Sequence, residues 1–337
     1  MAYVGATILD PVGPVLSAEE KAFFRDADPF AFILFARHIE DGDQIRRLCG
    51  ELREAVGRDA LITIDQEGGR VQRLVPPLAT QFLPPLEEVA QAGEHAAKAM
   101  RLRSQIIALE LRQYGIDSNC APLADVAAPE THPFLQNRCY GMAPDTVAAI
   151  GRAVSEGLLA GGAVPVLKHL PGHGRAVSDS HKELPRVSVA RADLEQDFAP
   201  FKALNNLPMG MTAHLLYDAL DDRPATLSPV VMQMIREEIG FDGLIMTDDI
   251  SMQALAGDRA DIAAGAIAAG CDAVLYCNAT LADKIRVAEA AGRMSEAAQV
   301  RADRAMLVRA VAETAVTAET IDIEALKAKH DALLNRA

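Results

Sequence analysis

Eight short apolar or β-branched runs recur along the chain, separated by longer stretches with helical spacing, and this alternation constrains the fold more than any single motif. The runs are YVGATIL (about 3–8), AFILFA (31–36), ALITID (60–65), DSNCAPLADV (117–126), AVPVLKHL (163–170), MGMTAH (209–214), GLIMTDD (243–249) and DAVLYC (272–277). A strand that is apolar on both faces must be covered on both, and strands joined through helices run parallel. Eight such units predict an α/β fold, a single (β/α)8 TIM-type barrel, with a doubly wound open sheet as the competing architecture. Helix signals fall between the runs. In SAEE, Ser17 and Glu20 form a capping box in which each side chain satisfies the other's free amide. Residues 94–114 read as one helix stopped by Gly115. In SPVVMQMIREEIG, Ser228 is the N-cap, Pro229 the first helical residue and Gly240 the stop. No linker or internal repeat interrupts the chain, so residues 1–337 are expected to form one domain, with a helical, alanine-rich extension over about 281–337.

At 337 residues and 50% hydrophobic content the chain can fill a barrel of about 250 residues and still carry extensions. The formal net charge of −14 excludes a general nucleic-acid binder, which needs a basic face to displace counterions, but permits a local basic pocket. No apolar run approaches a membrane span, and MAYVGATILDPVG lacks the basic start of a signal peptide, so a cytoplasmic chain without a membrane partner is expected. Cys49, Cys120, Cys139, Cys271 and Cys277 are odd in number, lack CxxC spacing and read as reduced thiols.

In barrels of this kind, side chains leave the packed interior at the C-terminal strand ends, where chemistry sits. Six of the eight runs end in polar residues: Asp65, Asp125, Lys168-His169, His214, Asp248-Asp249 and Asn278. Singly, Asp125, His214 and Asn278 read equally well as structural hydrogen-bonding groups. Together the six form a polar ring around one mouth.

The fifth run opens into KHLPGHGRAVSDSH (168–181), which gathers three histidines among flexible glycines. His169, His173, Asp179 and His181 offer metal donors, but there is no HExxH or closed Cys/His set, and a glycine-flanked loop is a poor cage. No metal or other cofactor is therefore expected. PGHG matches neither glycine-rich phosphate pattern. As a catalytic loop, the informative pair is Asp179 and His181. In an extended segment they point the same way, so the carboxylate can fix the imidazole's tautomer and raise its proton affinity. Pro171, Gly172 and Gly174 then serve as bends for a loop closing over substrate. Such a general acid needs a partner, and Asp248 or Asp249 offers a carboxylate nucleophile. Alternation turns only one of them inward, and the second suits a helix N-cap leading into 250–256.

These residues, in this order, resemble glycoside hydrolase family 3, in its single-domain NagZ-type β-N-acetylglucosaminidase (β-hexosaminidase) branch. The resemblance spans roughly 30–280 and rests on ILFARHI (33–39), IDQEGGRVQRL (64–74), NRCYG (137–141), KHLPGHG…DSH and MTDDISM (246–252). It implies a retaining glycosidase in which Asp248 forms a covalent glycosyl-enzyme and His181, assisted by Asp179, is the acid/base. Asp65, Arg73, Arg138, Lys168 and His169 would bind the hydroxyls and acetamido group of a terminal β-linked N-acetylglucosamine. In retaining enzymes the two reacting groups stand about 5–5.5 Å apart. The implied substrate is an N-acetylglucosaminyl-anhydro-muropeptide from bacterial cell-wall (peptidoglycan) recycling. Cys139 departs from the serine common at its position, while Arg138 beside it is retained.

Three alternatives remain at this point. A neutral imidazole base does not repel an anion, so the same residues would also suit a phosphorylase. A non-catalytic sugar-binding barrel and a metal-dependent barrel hydrolase are the others. Arg70 either joins Arg73, Arg138 and Lys168 in attracting an anionic substrate or serves as an ion-pair partner for Glu67.

Overall fold

The computed structural model describes residues 3–180, 182–317 and 321–335. The eight runs become β1 (Gly5–Leu9), β2 (Pro29–Leu34), β3 (Leu61–Ile64), β4 (Ser118–Asn119), β5 (Val164–Leu170), β6 (Met209–Thr212), β7 (Leu244–Met246) and β8 (Val274–Tyr276). They pair as two four-stranded sheets in the orders β8-β1-β2-β3 and β7-β6-β5-β4. Every pairing in both is parallel. The expected α/β class is observed, with the strands laid out among the described residues as two ladders. Backbone hydrogen bonds also run between the sheets. Asp117 and Cys120 donate to the carbonyls of Ile62 and Ile64 in β3 at 3.0 and 2.9 Å, and Thr247 donates to Ala273 at 3.1 Å.

Burial explains why these runs are strands. Every residue of β1, β2, β3 and β5 is buried, so both faces are covered, and the Val/Ile/Leu/Phe content suits a pleated surface packed on each side. The fourth run departs most from expectation, keeping strand geometry only over Ser118–Asn119. Ala121 and Pro122 still accept from Val166 and Lys168 at 2.9 and 3.0 Å, but Pro122 has no N–H to return to a ladder.

Helices follow the strands: α1 (Ala18–Ala27), α2 (Gly42–Val56), α3 (Pro85–Ala92), α4 (Ala96–Arg112), α5 (Pro133–Gln136), α6 (Pro144–Ala160), α7 (Glu195–Ala203), α8 (Pro229–Glu237), α9 (Arg259–Ala269) and α10 (Leu281–Ala291). Two more, α11 (Glu296–Thr317) and α12 (Ile323–Leu334), form the tail. The capping box is present, with the Glu20 amide donating to Ser17 Oγ at 3.1 Å and the Ser17 amide to Glu20 Oε2 at 3.0 Å. Ser228 caps α8 by accepting from the Val231 amide at 3.0 Å. Within the tail, Arg309 of α11 pairs with Asp59 at 2.6 Å and with the buried Asp117 at 2.5 Å, tying the helix to the β4 end of the strands. Among the described residues no helix is long and apolar enough to cross a membrane.

Helices α4 and α6 meet through a small-residue contact. A Cβ built on Gly157 would lie 2.2 Å from the Arg101 carbonyl oxygen, and one on Gly161 would lie 2.4 Å from the Ala108 Cβ. On an unobstructed helix, alanine for glycine stabilises by about 1 kcal/mol. Here Gly157→Ala must push α4 away, so the expected sign is reversed, a loss of about 1–3 kcal/mol. Thermal unfolding checks this; an unchanged or raised Tm would show that the two helices do not depend on the close approach.

Candidate active site

β3 runs out into Asp65, and the chain then folds into an antiparallel hairpin of Gln66–Gly68 against Val71–Gln72. Alternation places Asp65 and Glu67 on the same side. Lys168, at the end of β5, bridges them with its Nζ, 2.9 Å from Asp65 Oδ1 and 2.7 Å from Glu67 Oε1. Arg138 grips the Glu67 carboxylate through Nε at 2.9 Å and Nη2 at 2.7 Å, the bidentate geometry that a planar guanidinium favours. Arg73 donates to the second oxygen of Asp65 at 3.0 Å. Three cations against two carboxylates leave one positive charge in excess. Burial by itself would raise both carboxyls. Arg138 and Lys168 overcome it at Glu67, which is held at about 2, while Lys168 and Arg73 hold Asp65 far below the usual range. Burial likewise works against Lys168 and Arg138, yet the facing carboxylates push both upward.

A second cluster orients the histidines. Asp125, fully buried, sits 2.7 Å from His169 Nδ1 and accepts from the His173 amide at 2.6 Å. Its burial is outweighed by His169 and His173, and its carboxyl is held at about 2. An ionised acceptor there places a hydrogen on Nδ1 of His169 and fixes the orientation of its ring. The His173 ring stands edge-on to His169 with centroids 5.6 Å apart, and burial, then His169, lowers it to about 4.

The adjacent aspartates separate into different tasks. Asp249 accepts from the Ser251 amide (2.9 Å), Ser251 Oγ (2.7 Å), the Cys277 amide (3.1 Å) and Asn278 Nδ2 (3.2 Å), clamping the end of β7 to the end of β8. Asp248 lines the cleft and accepts from the Asp249 amide at 2.8 Å. Burial drives Asp249 up to about 6; at Asp248 burial is overcome by His214, His169, the Asp249 amide and Lys168, and its carboxyl falls below the ordinary range. The helix expected over 250–256 is a series of turns, so Asp249 caps a turn at Ser251 and not a helix. His214 is fully buried between Thr226 Oγ1 (2.8 Å) and the Asp249 carbonyl (3.1 Å), a supporting position.

Many of these groups line a cleft of about 600 Å³, with Glu67, Asp125 and His214 behind its wall. Asp65, Arg73, Arg138, Lys168, His169 and Asp248 all face it, as do His173 and Asp249. Arg70 reaches it too, with its guanidinium 3.8 Å over the Phe134 ring and a hydrogen bond to the Phe134 carbonyl. The carboxylate of Glu67 is taken by Arg138 and Lys168, which corrects the alternative that Arg70 is its ion-pair partner. Phe35, Arg37 and Phe134 were not singled out in the sequence; ILFARHI was the available signal for the first two.

The loop after β5 differs from its expected form. The Asp179 carbonyl accepts from the amides of Lys182 and Glu183 at 2.9 and 3.1 Å, which closes a turn. Ser178 and Ser180, flanking Asp179, line the cleft. His181 lies outside the described residues, and its pairing with Asp179 remains an expectation. The glycines expected as hinges are buried close contacts. A Cβ on Gly174 would lie 1.8 Å from the Val126 carbonyl oxygen, and one on Gly172 would lie 3.2 Å from that of Asp197. Among the described residues no group of three or more His, Cys, Asp or Glu side chains is arranged to hold a metal.

A parallel α/β scaffold whose strand ends present half-buried carboxylates to a cation-lined cleft of sugar size is an arrangement suited to a glycoside hydrolase. Residues 9–309 match the family described as "Glycosyl hydrolase family 3 N terminal domain". The chain belongs to glycosyl hydrolase family 3. It is similar to the beta-hexosaminidase of Methylococcus capsulatus, 39% identical over 280 residues covering 80% of this chain and 82% of that one. The beta-hexosaminidase of Chromobacterium violaceum is 36% identical over 287 residues, covering 81% and 79%. The fold of this chain is similar to that of native NagZ from Neisseria gonorrhoeae, with a TM-score of 0.86 at 28% identity over 99% of this chain and 98% of that one. The complex of that NagZ with N-trifluoroacetyl-D-glucosamine gives 0.85 at 28% identity over 99% of each.

The Glu67 pairing has a measurable pH signature. Its carboxyl is depressed on folding, so the stabilisation is complete above the unfolded value of about 4 and is lost as pH falls towards about 2. The size at neutral pH is roughly 3 kcal/mol. Glu67→Gln is expected to lower Tm at pH 7 and to flatten the decline of Tm between about pH 4 and 2. An acid limb as steep in the variant as in the parent would mean that Glu67 is not the ionised partner.

Proposed function

We propose that this protein is a retaining β-N-acetylhexosaminidase that removes terminal β-linked N-acetylglucosamine. The observation that carries the reading is Asp248: a carboxylate kept ionised inside the cleft, beside Lys168 and His169, while its neighbour Asp249 is fully engaged elsewhere. Asp248 attacks the anomeric carbon as the glycosidic C–O bond breaks, and His181 gives its proton to the departing oxygen. In the second half His181 takes a proton from water, the water oxygen attacks the same carbon, and the Asp248 carboxylate leaves. Asp179 orients and charges the imidazole through these steps. Asp65, Arg73, Arg138, Lys168 and His169 hold the sugar hydroxyls and acetamido group. Their mutual ion pairs support this role, because groups already locked to one another lose little freedom when substrate arrives.

The preferred substrate in this reading is an N-acetylglucosaminyl-anhydro-muropeptide from peptidoglycan recycling, cleaved in the cytoplasm. The excess positive charge of the cleft supports an anionic substrate on a chain whose net charge is −14. We also read the two sheets as arcs of one (β/α)8 barrel within a single domain over 1–337. Hydrogen bonds between β3 and the β4 segment and between the β7 and β8 ends support closure, as does the convergence of strand-end side chains on one cleft.

Asp248→Ala is expected to lower kcat by about a thousandfold or more on a chromogenic β-N-acetylglucosaminide, with little change in Tm. Near-parental turnover would remove Asp248 from the nucleophile role. The matching β-glucoside, assayed in parallel, is expected to be a poor substrate; cleavage of the glucoside alone would refute acetamido recognition. In phosphate buffer the product is expected to be free sugar, and a sugar 1-phosphate would replace hydrolysis with phosphorolysis.

A further inference from the structure

Residues beyond 309 lie outside the family match, yet α12 sends one side chain toward the acid–cation cluster of the cleft. His330 is 4% exposed, and its Nε2 lies 2.9 Å from Glu88 Oε1 on α3, while its Nδ1 faces Asp331 at 3.5 Å. The other Glu88 oxygen takes Nη1 of Arg103, on α4, at 2.5 Å. Arg103, 1% exposed, donates through Nη2 to the backbone carbonyl of Glu67. Glu67 is the residue whose carboxylate holds both Arg138 and Lys168. Phe82 closes the group. Its ring lies 5.1 Å from the Arg103 guanidinium and 5.5 Å edge-on to the His330 ring, and its carbonyl accepts from Gly69 of the same hairpin at 3.0 Å.

Packing alone does not account for this set. Burying an arginine and a glutamate costs desolvation, and apolar residues of similar volume would hold a helix as firmly. What the ion pair adds is direction, because the rigid guanidinium fork fixes its two acceptors at a set angle. The approach is tight enough that a Cβ on Gly68 would lie 1.9 Å from Arg103 Nη2. Displacing the Glu67 backbone would carry its carboxylate with it, and so move Arg138 and Lys168 together.

We propose, resting on the reading that Arg138 and Lys168 bind the sugar, that His330, Glu88 and Arg103 are positioning residues through which the C-terminal helix sets the sugar affinity of the cleft. The test compares KM, kcat and Tm of the full chain carrying His330→Leu, His330→Gln or Leu333→Ala, on a chromogenic β-N-acetylglucosaminide. His330→Leu is expected to raise KM about tenfold with kcat changed by less than about threefold. His330→Gln keeps an N–H for Glu88 and is expected to return KM most of the way. Leu333 is buried on the same helix but outside the hydrogen-bonded chain, so Leu333→Ala is expected to lower Tm and keep KM within about twofold. A parental KM in His330→Leu, or an equal rise in Leu333→Ala, overturns the proposal. Should His330→Leu not fold, Arg103→Lys reads the same link, since lysine lacks the rigid guanidinium fork that holds the Glu88 carboxylate and the Glu67 carbonyl at a fixed angle; a parental KM there also overturns it. Arg138→Gln separates the two readings. Unchanged KM in that variant removes the sugar-binding role itself, whereas a raised KM beside a parental His330→Leu removes only the positioning chain.

Discussion

The Lys168 ammonium, buried between the Asp65 and Glu67 carboxylates, is the interaction on which the rest of the site depends. A charge removed from water persists only if it is paired and its remaining valences are satisfied. Lys168 comes from one sheet and Asp65 from the other, so the pairing holds the two sheets in a fixed relation at the cleft. Each added charge then required another. Glu67 called in Arg138, Asp65 called in Arg73, and the Glu67 backbone was fixed by Arg103. The result is a lattice of ion pairs that is rigid before any ligand arrives, with one positive charge to spare.

Around this lattice the other polar strand ends hold one another in place, some of them at the cleft wall and some behind it. Asp125 orients His169, Asn278 and Ser251 occupy Asp249, and His214 spans Thr226 and the Asp249 backbone. Asp248 and Asp249 are neighbours in sequence, yet burial pushes one up to about 6 while surrounding polar groups hold the other below its ordinary value. Opposite environments for adjacent carboxyls are what a site needs when only one of them is to act as an anion.

Much of this was legible in the chain. The eight strand runs, the Ser17–Glu20 box and the Ser228 cap all follow from local rules of period and capping. Other features were not. The glycines of PGHG read as flexible, but Gly174 is buried against the Val126 carbonyl, a constraint set by a segment nearly fifty residues away. Asp179 read as part of an extended segment and instead opens a turn, because hydrogen bonding to Lys182 and Glu183 competes with strand geometry. The tail read only as an alanine-rich helical extension, and its Arg309 and His330 proved to be tied to buried acids.

The sequence by itself determined the α/β class, the order of strands and helices, and which residue types would gather at the strand ends, since those depend on periodicities of two and 3.6 residues. It also carried the family motifs. Only the tertiary structure decided which polar residue pairs with which: Glu67 with Arg138 and not Arg70, Asp249 with the β8 end and not a helix, Glu88 with His330 from the far end of the chain. Partners in a buried ion network are chosen by distance in space and by the need to satisfy every desolvated charge, and neither quantity is encoded in any short window of residues.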